Sequence, residues 1–324
     1  MTGQPIMSVR GLSKTFDLGG GWLRARRTVQ AVSGIDLDLL PGRTLGLVGE
    51  SGSGKTTLSR LLLRLEAPTS GTMSFNGTDV ASADGKVLAE YRRAVQPVFQ
   101  NPYASLDPRM TVGAIIGEPL RAQGVGADEI GARVRQALDA VGLAADDAVK
   151  LPRAFSGGQR QRIAIARALA TEARLMILDE AVSSQDVSIR AQLLNLLKDL
   201  QTERGLAFLF IAHDLPSVRY MSDTIAVMYC GGIVEHGPAD AVCDAPQHPY
   251  TRALLASCLS VNPADVRPGP IVTGEPASAI APPSGCHFHP RCPLAEPDCS
   301  RKRPIATVVG PGHEALCHLA TSAK

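Results

Sequence analysis

The chain has 324 residues, with 33 Lys and Arg against 31 Asp and Glu, a net charge of +2. That length suits one large α/β domain with a smaller appendage, and the balanced charge gives no argument for nucleic-acid binding. No apolar run approaches the roughly 20 residues that cross a bilayer, and the N-terminus lacks a basic segment followed by an apolar core. The chain is therefore expected in the cytosol, reaching a membrane only through a partner.

The first 48 residues read as short strands with turn punctuation: Ile6 to Arg10, Val29 to Val32, Ile35 to Leu39, the Pro41-Gly42 turn and then Thr44 to Val48. Phe16, with Trp22 as its rival, is a candidate to stack on a purine base; plain packing explains it as well. Arg24, Arg26 and Arg27 read as a solvated loop face.

Gly49, Glu50, Ser51, Gly52, Ser53, Gly54, Lys55, Thr56 and Thr57 follow the apolar strand and lead into a helical run to Leu65. Gly49, Gly54, Lys55 and Thr56 match the P-loop spacing in the strand-loop-helix setting that the motif requires. Glycines let the backbone N–H groups wrap phosphate oxygens, and the helix N-terminus favours negative charge. Lys55 adds a positive charge near the β and γ phosphates of a bound nucleotide, and the Thr56 hydroxyl is placed to ligate Mg²⁺; on this motif alone the chain is a P-loop NTPase of unspecified kind.

A strand is expected over Gly71 to Asn76 and another over Val95 to Phe99, ending at Gln100. The turn from Asn101 to Pro108 carries two prolines and cannot continue it. A polar amide at the carboxyl end of a parallel strand points into the crevice where α/β sheets hold ligands. Residues 111 to 150 read as a helical insertion.

Ser156 is a good N-cap for a helix opened by Gly157, Gly158 and Gln159, which makes a second anion site. Leu175 to Leu178 is a buried strand that delivers Asp179, suited to hold Mg²⁺, and Glu180, suited to polarise an attacking water. Asp186 is expected to cap an amphipathic helix with Leu193, Leu194, Leu197 and Leu200 on one side, ended by Gly205. A further core strand, Leu206 to Ala212, ends at His213, which can hydrogen-bond a γ-phosphate.

There are seven cysteines, and Cys286, Cys292, Cys299 and Cys317 lie together near the C-terminus, separated by five, six and seventeen residues. In a cytosolic chain this points to metal or iron–sulfur ligation before disulfides. Zinc prefers closer pairs, and unliganded thiols stay open as a third reading. His287, His289, His313 and His318 are ligands or bystanders.

The glycine loop, Gln100, the Phe155-Ser-Gly-Gly-Gln159 run, the Leu175 to Glu180 strand end and His213, in this order, resemble the nucleotide-binding subunit of an ABC transporter. The resemblance covers residues 5 to 245. It implies a P-loop α/β core with an antiparallel β subdomain, a helical subdomain near 100–160, and ATP and Mg²⁺ as cofactors. In that family two subunits sandwich two ATP, the P-loop of one facing the SGGQ segment of the other. Gln100 resembles the family's Q-loop residue and His213 its switch histidine.

The run from Phe99 to Met110, the segment His248 to Ala253 and the ending Pro282 to Pro293 narrow the resemblance to the oligopeptide/dipeptide importer ATPases, nearest the F-type. Residues 1–245 are then the ATPase domain and 246–324 an importer-specific extension. The resemblance implies a heterodimer with a D-type ATPase, two transmembrane permease subunits and an extracytoplasmic substrate-binding protein. It places the chain peripherally on the cytoplasmic face of the membrane, and implies a 4Fe–4S cluster in some members. Two rival readings are a nickel or other small-solute importer with the same ATPase subunit, and a soluble ABC ATPase acting on ribosomes or DNA. Where the family usually has an apolar residue before Asp186, this chain has Gln185.

Overall fold

The computed structural model describes residues 4–19, 28–100, 105–183, 185–257, 274–275 and 277–322. Trp22, Arg24, Arg26, Arg27, Cys258 and the Asn101 to Ala104 part of the proline-flanked turn lie outside these residues. In chain order the elements are β1 (Met7–Asp17), β2 (Thr28–Leu39), β3 (Thr44–Val48), α1 (Lys55–Leu62), β4 (Ser70–Phe75), β5 (Thr78–Asp79), α2 (Gly85–Ala94) and β6 (Val95–Phe99). There follow α3 (Val112–Ala122), α4 (Ala127–Ala140), α5 (Gly157–Ala170), β7 (Leu175–Asp179), α6 (Val187–Arg204), β8 (Ala207–Ile211) and α7 (Leu215–Met221). The chain ends with β9 (Thr224–Tyr229), β10 (Gly232–Pro238), α8 (Ala239–Asp244), α9 (Pro249–Ala256), β11 (Thr307–Gly310) and β12 (His313–Ala315).

Two compact units form, each drawn from separate stretches of chain. One comprises Met1–Ser8, Asp38–Thr44 and Ser74–Ala212; the other Val9–Leu37, Leu45–Met73 and His213–Lys324. Strands β2, β1, β4 and β5 lie in that order in a four-stranded sheet.

In the first unit β6, β7 and β8 are parallel, with Phe99 in register with Asp179 and Asp179 with Ile211. Apolar residues fill β7 and β8 continuously because both faces are covered, and Leu175 to Leu178 and Ala207 to Ile211 are fully buried. Pro97 is tolerated because β6 stands at the edge of this ladder. Helices α3, α4 and α5 pack on one another, α3 and α4 lying within the residues 111 to 150 expected to be helical. Gly205, at φ +64°, ends α6, whose Leu193, Leu194, Leu197 and Leu200 are buried as the pattern predicts.

In the second unit β3 runs parallel to β9, and β9 turns back through Cys230 and Gly231 into antiparallel β10. Both turn residues have positive φ, as a tight hairpin requires. β12 adds to β10 and β11 to β12. These last strands were not expected; they are short and take their ladder from β10 rather than from any alternation of their own. Where the sequence predicts two short strands, 29–32 and 35–39, the structure has β2 unbroken. Gly34, at φ +62°, absorbs the irregularity, and its N–H donates to Ser13 Oγ at 2.9 Å. Among the described residues no helix is long and apolar enough to cross a membrane.

Candidate functional site

The loop between β3 and α1 is made possible by glycine. A Cβ at Gly49 would lie 2.2 Å from the Met228 carbonyl oxygen, and one at Gly54 2.2 Å from that of Ala31, both at positive φ. The first turn of α1 carries no side-chain cap, so its N–H groups stay open to an anion. Lys55 is buried, its Nζ donating to the Gly49 and Glu50 carbonyl oxygens at 2.7 and 2.9 Å. The ammonium is thus held over the loop, with Ser53 Oγ at 3.4 Å as a further acceptor. Ser51, Gly52 and Thr56 are exposed, Thr57 half-buried, and Ser53 buried, its carbonyl taking the Gly231 N–H.

The same loop is gripped from the far end of the chain, which the sequence did not announce. Glu50 N–H donates to the Tyr250 hydroxyl at 2.7 Å. Arg291 donates through both terminal nitrogens to the Glu50 carboxylate, at 2.8 and 3.1 Å. This fork is a strong form of ion pair, and Glu50 raises the already high Arg291 pKa further. Tyr250 packs among Tyr229, Phe288 and His248, with ring centroids 4.7 to 6.5 Å apart. Burial raises the Tyr250 pKa, so its hydroxyl stays protonated. Beneath this cluster Glu235, fully buried, accepts from the Gln247 and His248 N–H groups at 2.8 and 2.9 Å and pairs with His313 Nε2 at 2.8 Å. The available signals were the His248 to Ala253 segment and the Pro282 to Pro293 ending, both noted only as family marks.

In the other unit, β6 and β7 deliver Gln100, exposed, and Asp179 and Glu180, both half-buried, at or just past their carboxyl ends. Glu180 takes φ +51°, uncommon without glycine, and its N–H donates to Ile211 O at 2.8 Å. The Ser156 helix start is a capping box: the Gln159 N–H donates to Ser156 Oγ at 3.3 Å, and Gln159 Oε1 accepts from the Ser156 N–H at 2.9 Å. Gly158 faces Ile189, whose Cγ2 would be 2.6 Å from an added Cβ. Gln185 Oε1 lies over Gly157, 3.4 Å from its missing Cβ. Asp186 stands at the N-cap position of α6, but its side chain makes no capping bond, so the expected cap is corrected to a backbone role.

In the second unit, His213 is exposed. Phe16 is half-buried under the Lys14 ammonium, 4.8 Å from its ring centroid. That face already holds a cation.

Cys286, Cys292 and Cys317 are half-buried and Cys299 buried, and the Cys286 N–H donates to Cys299 O at 2.8 Å. Burial raises the pKa of the first three, and neighbouring thiols add to the rise. The thiols are thus neighbours, and those of Cys286, Cys292 and Cys317 are held toward the protonated form. Among the described residues no three of His, Cys, Asp and Glu are grouped so as to hold a metal ion, so the expected 4Fe–4S ligand set does not fit this arrangement. The nearby imidazoles are engaged elsewhere: His289 with Cys286 O, His287 with Arg303, His318 with Lys302 O.

A family model described as ABC transporter matches residues 32–183, and one for the oligopeptide/dipeptide transporter C-terminal region matches residues 234–299. YkfD of Bacillus subtilis, named for oligopeptide transport ATP binding, is 45% identical over 99% of this chain and 97% of its own length. GsiA of Salmonella paratyphi A, a glutathione import ATP-binding protein, is 51% identical over 84% of this chain, which spans 44% of GsiA. Among solved structures, the MJ0796 cassette dimer bound to ADP and Pi is similar at 26% identity and TM-score 0.63, over 72% of this chain and 98% of that one. CbiO1 of Clostridium perfringens matches at 26% and 0.65, over 77% and 95%.

Proposed function

The chain belongs to the ATP-binding proteins of ABC transporters, in their peptide-import branch, and from that premise we infer that it hydrolyses ATP to power the uptake of oligopeptides or dipeptides. The observation that carries this reading is the glycine loop, where two missing Cβ atoms let the backbone pack against the Met228 and Ala31 carbonyls and set the loop ahead of an uncapped helix N-terminus. Lys55 exchanges its carbonyl acceptors for phosphate oxygens. Bound Mg²⁺ would neutralise phosphate charge, with Thr56 and Asp179 to hold it and Gln100 to complete its surroundings.

Glu180 accepts a proton from the attacking water, from a backbone held at φ +51° just past the end of β7. His213 hydrogen-bonds the γ-phosphate. The Ser156–Gln159 helix start and Asp186 serve the nucleotide of the opposite subunit, a D-type ATPase. Two permeases and an extracytoplasmic binding protein complete the importer, with this chain peripheral on the cytoplasmic face. Phe16 is proposed as the base-stacking residue, with the Lys14 cation on its ring to be displaced or shared. For the tail cysteines, the nearness of the four thiols supports a cluster and the missing ligand group opposes it; an iron and zinc assay of the purified chain decides.

Glu180→Gln tests the reading. ATP binding is expected to persist while turnover falls on the order of 10²- to 10⁴-fold. Unchanged turnover would remove Glu180 from the chemistry.

A further inference from the structure

Two stretches matched separately by the family models meet at one residue of the glycine loop. Glu50 lies in the first matched span, and Tyr250 and Arg291 lie in the second. Between them they hold both the backbone and the side chain of Glu50. The Arg291 side chain is only 10% exposed, and its Nε has no hydrogen-bond partner among the described residues. Burying a guanidinium with one donor unmet is costly unless its remaining donors are well used, and here they are spent on Glu50.

The placement has two consequences for a polyanion entering the loop. Lys55 is tied to the Gly49 and Glu50 carbonyl groups and must leave them to reach a phosphate. When it leaves, the peptide planes at 49 and 50 lose their inner restraint, and the Tyr250 hydroxyl and Arg291 fork hold residue 50 from outside. Glu50 also brings a carboxylate into a loop that must accept negative charge. Arg291 neutralises it at hydrogen-bonding distance, so the Glu50 carboxylate does not oppose an incoming anion.

We propose that Tyr250 and Arg291 are positioning residues for ATP: they preset the entry of the phosphate-binding loop and cancel the Glu50 charge, so nucleotide affinity depends on the C-terminal module. The inference rests on the ATP-binding reading of the loop. The rings of Tyr229, Phe288 and His248 aim Tyr250, and the Glu235 junction with Gln247, His248 and His313 fixes the base on which they stand. A tail that merely stabilised the fold would need neither the fork nor the hydroxyl at this one residue.

The test compares Arg291→Ala, Tyr250→Phe and Lys55→Ala in the full chain, measuring ADP affinity by calorimetry and KM and kcat for ATP. Arg291→Ala is expected to raise the KM and the ADP Kd about tenfold with kcat within about twofold, and Tyr250→Phe to raise them about threefold. Glu50→Gln combined with Arg291→Ala is expected to recover most of the loss, because the unbalanced carboxylate is gone. A fall in kcat with KM unchanged, or a double variant as weak as the sum of the singles, overturns the proposal. Lys55→Ala weakening ADP binding while Arg291→Ala and Tyr250→Phe do not would keep the loop reading and overturn the inference. No effect from any of the three overturns both. Should Arg291→Ala not fold, Tyr250→Phe, which removes one oxygen, carries the same comparison.

Discussion

Two glycine-rich turns open helices in this chain, and they are held in different ways. The Gly49 to Thr57 loop is shaped by contacts from distant chain: Ala31 and Met228 carbonyls stand where Cβ atoms would be, Gly231 binds Ser53, and Tyr250 and Arg291 grip Glu50. The Ser156 to Gln159 turn is nearly self-sufficient, its capping box closing within four residues. The first is a cradle built by the tertiary fold and so depends on it. The second is encoded locally, and its geometry follows from residues 156 to 159 alone.

The sharpest way to break this contrast is to add the same methyl group to both. Gly54→Ala forces a Cβ to 2.2 Å from a backbone oxygen at φ +109°, where the neighbour cannot yield. A loss of at least about a hundredfold in ADP affinity is expected, on the order of 3 kcal/mol of strain or more. Gly158→Ala meets the end of the Ile189 side chain at 2.6 Å, which can shift by rotamer. About 1 kcal/mol is expected there, with ADP affinity of the chain alone unchanged. Equal losses by calorimetry would erase the distinction.

The contrast also explains what could be read in the sequence. The glycine loop, the buried strand before Asp179 and the leucines of α6 announce themselves through spacing, because each depends on neighbours a few residues away. Ser156 was legible as a cap, and the Ser-x-x-Gln spacing carried the reciprocal bond as well. Glu235 was not legible: its partners Gln247, His248 and His313 are 12, 13 and 78 residues distant, and a lone acid in a strand looks like a solvent-facing one. Arg291 stood among cysteines and histidines that drew attention to metal, whereas its partner is 241 residues away. Asp186 shows the converse error, a residue type and position that predict a cap the side chain does not make.

If the distal cradle rests on the tail, it should share the tail's response to acid. His248 is buried, and burial, with Arg252 adding to it, pushes its pKa down to about 3. Its Nδ1 accepts the Tyr250 N–H at 3.0 Å, a role only the neutral ring can fill. Unfolded, the imidazole titrates near 6.5, so between about 6.5 and 3 the unfolded chain takes up a proton that the folded chain refuses. Stability contributed here is present above pH 6.5 and is lost as pH falls through that window, on the order of 1–2 kcal/mol by pH 5. Melting curves at pH 7.5 and 5 should show the wild type losing a few degrees more than His248→Asn, which keeps a capping acceptor without titrating. Parallel losses would mean His248 does not set the acid response.

The smallest expected effect lies at the other turn. Ser156→Ala removes the acceptor for the Gln159 N–H but leaves Gln159 Oε1 bonded to the backbone at 156, so only half of the capping box is lost. A helix start so treated loses about 1 kcal/mol. In a chain of this size that lowers the melting temperature by only a few degrees. Because nothing outside residues 156 to 159 enters the box, the glycine loop should be indifferent: ADP affinity of the single chain stays at the wild-type value, whereas Arg291→Ala changes it from 241 residues away. Calorimetry on the two variants side by side decides the matter. An equal weakening by Ser156→Ala would show that the cradles are energetically one unit, and that local closure of the second does not isolate it.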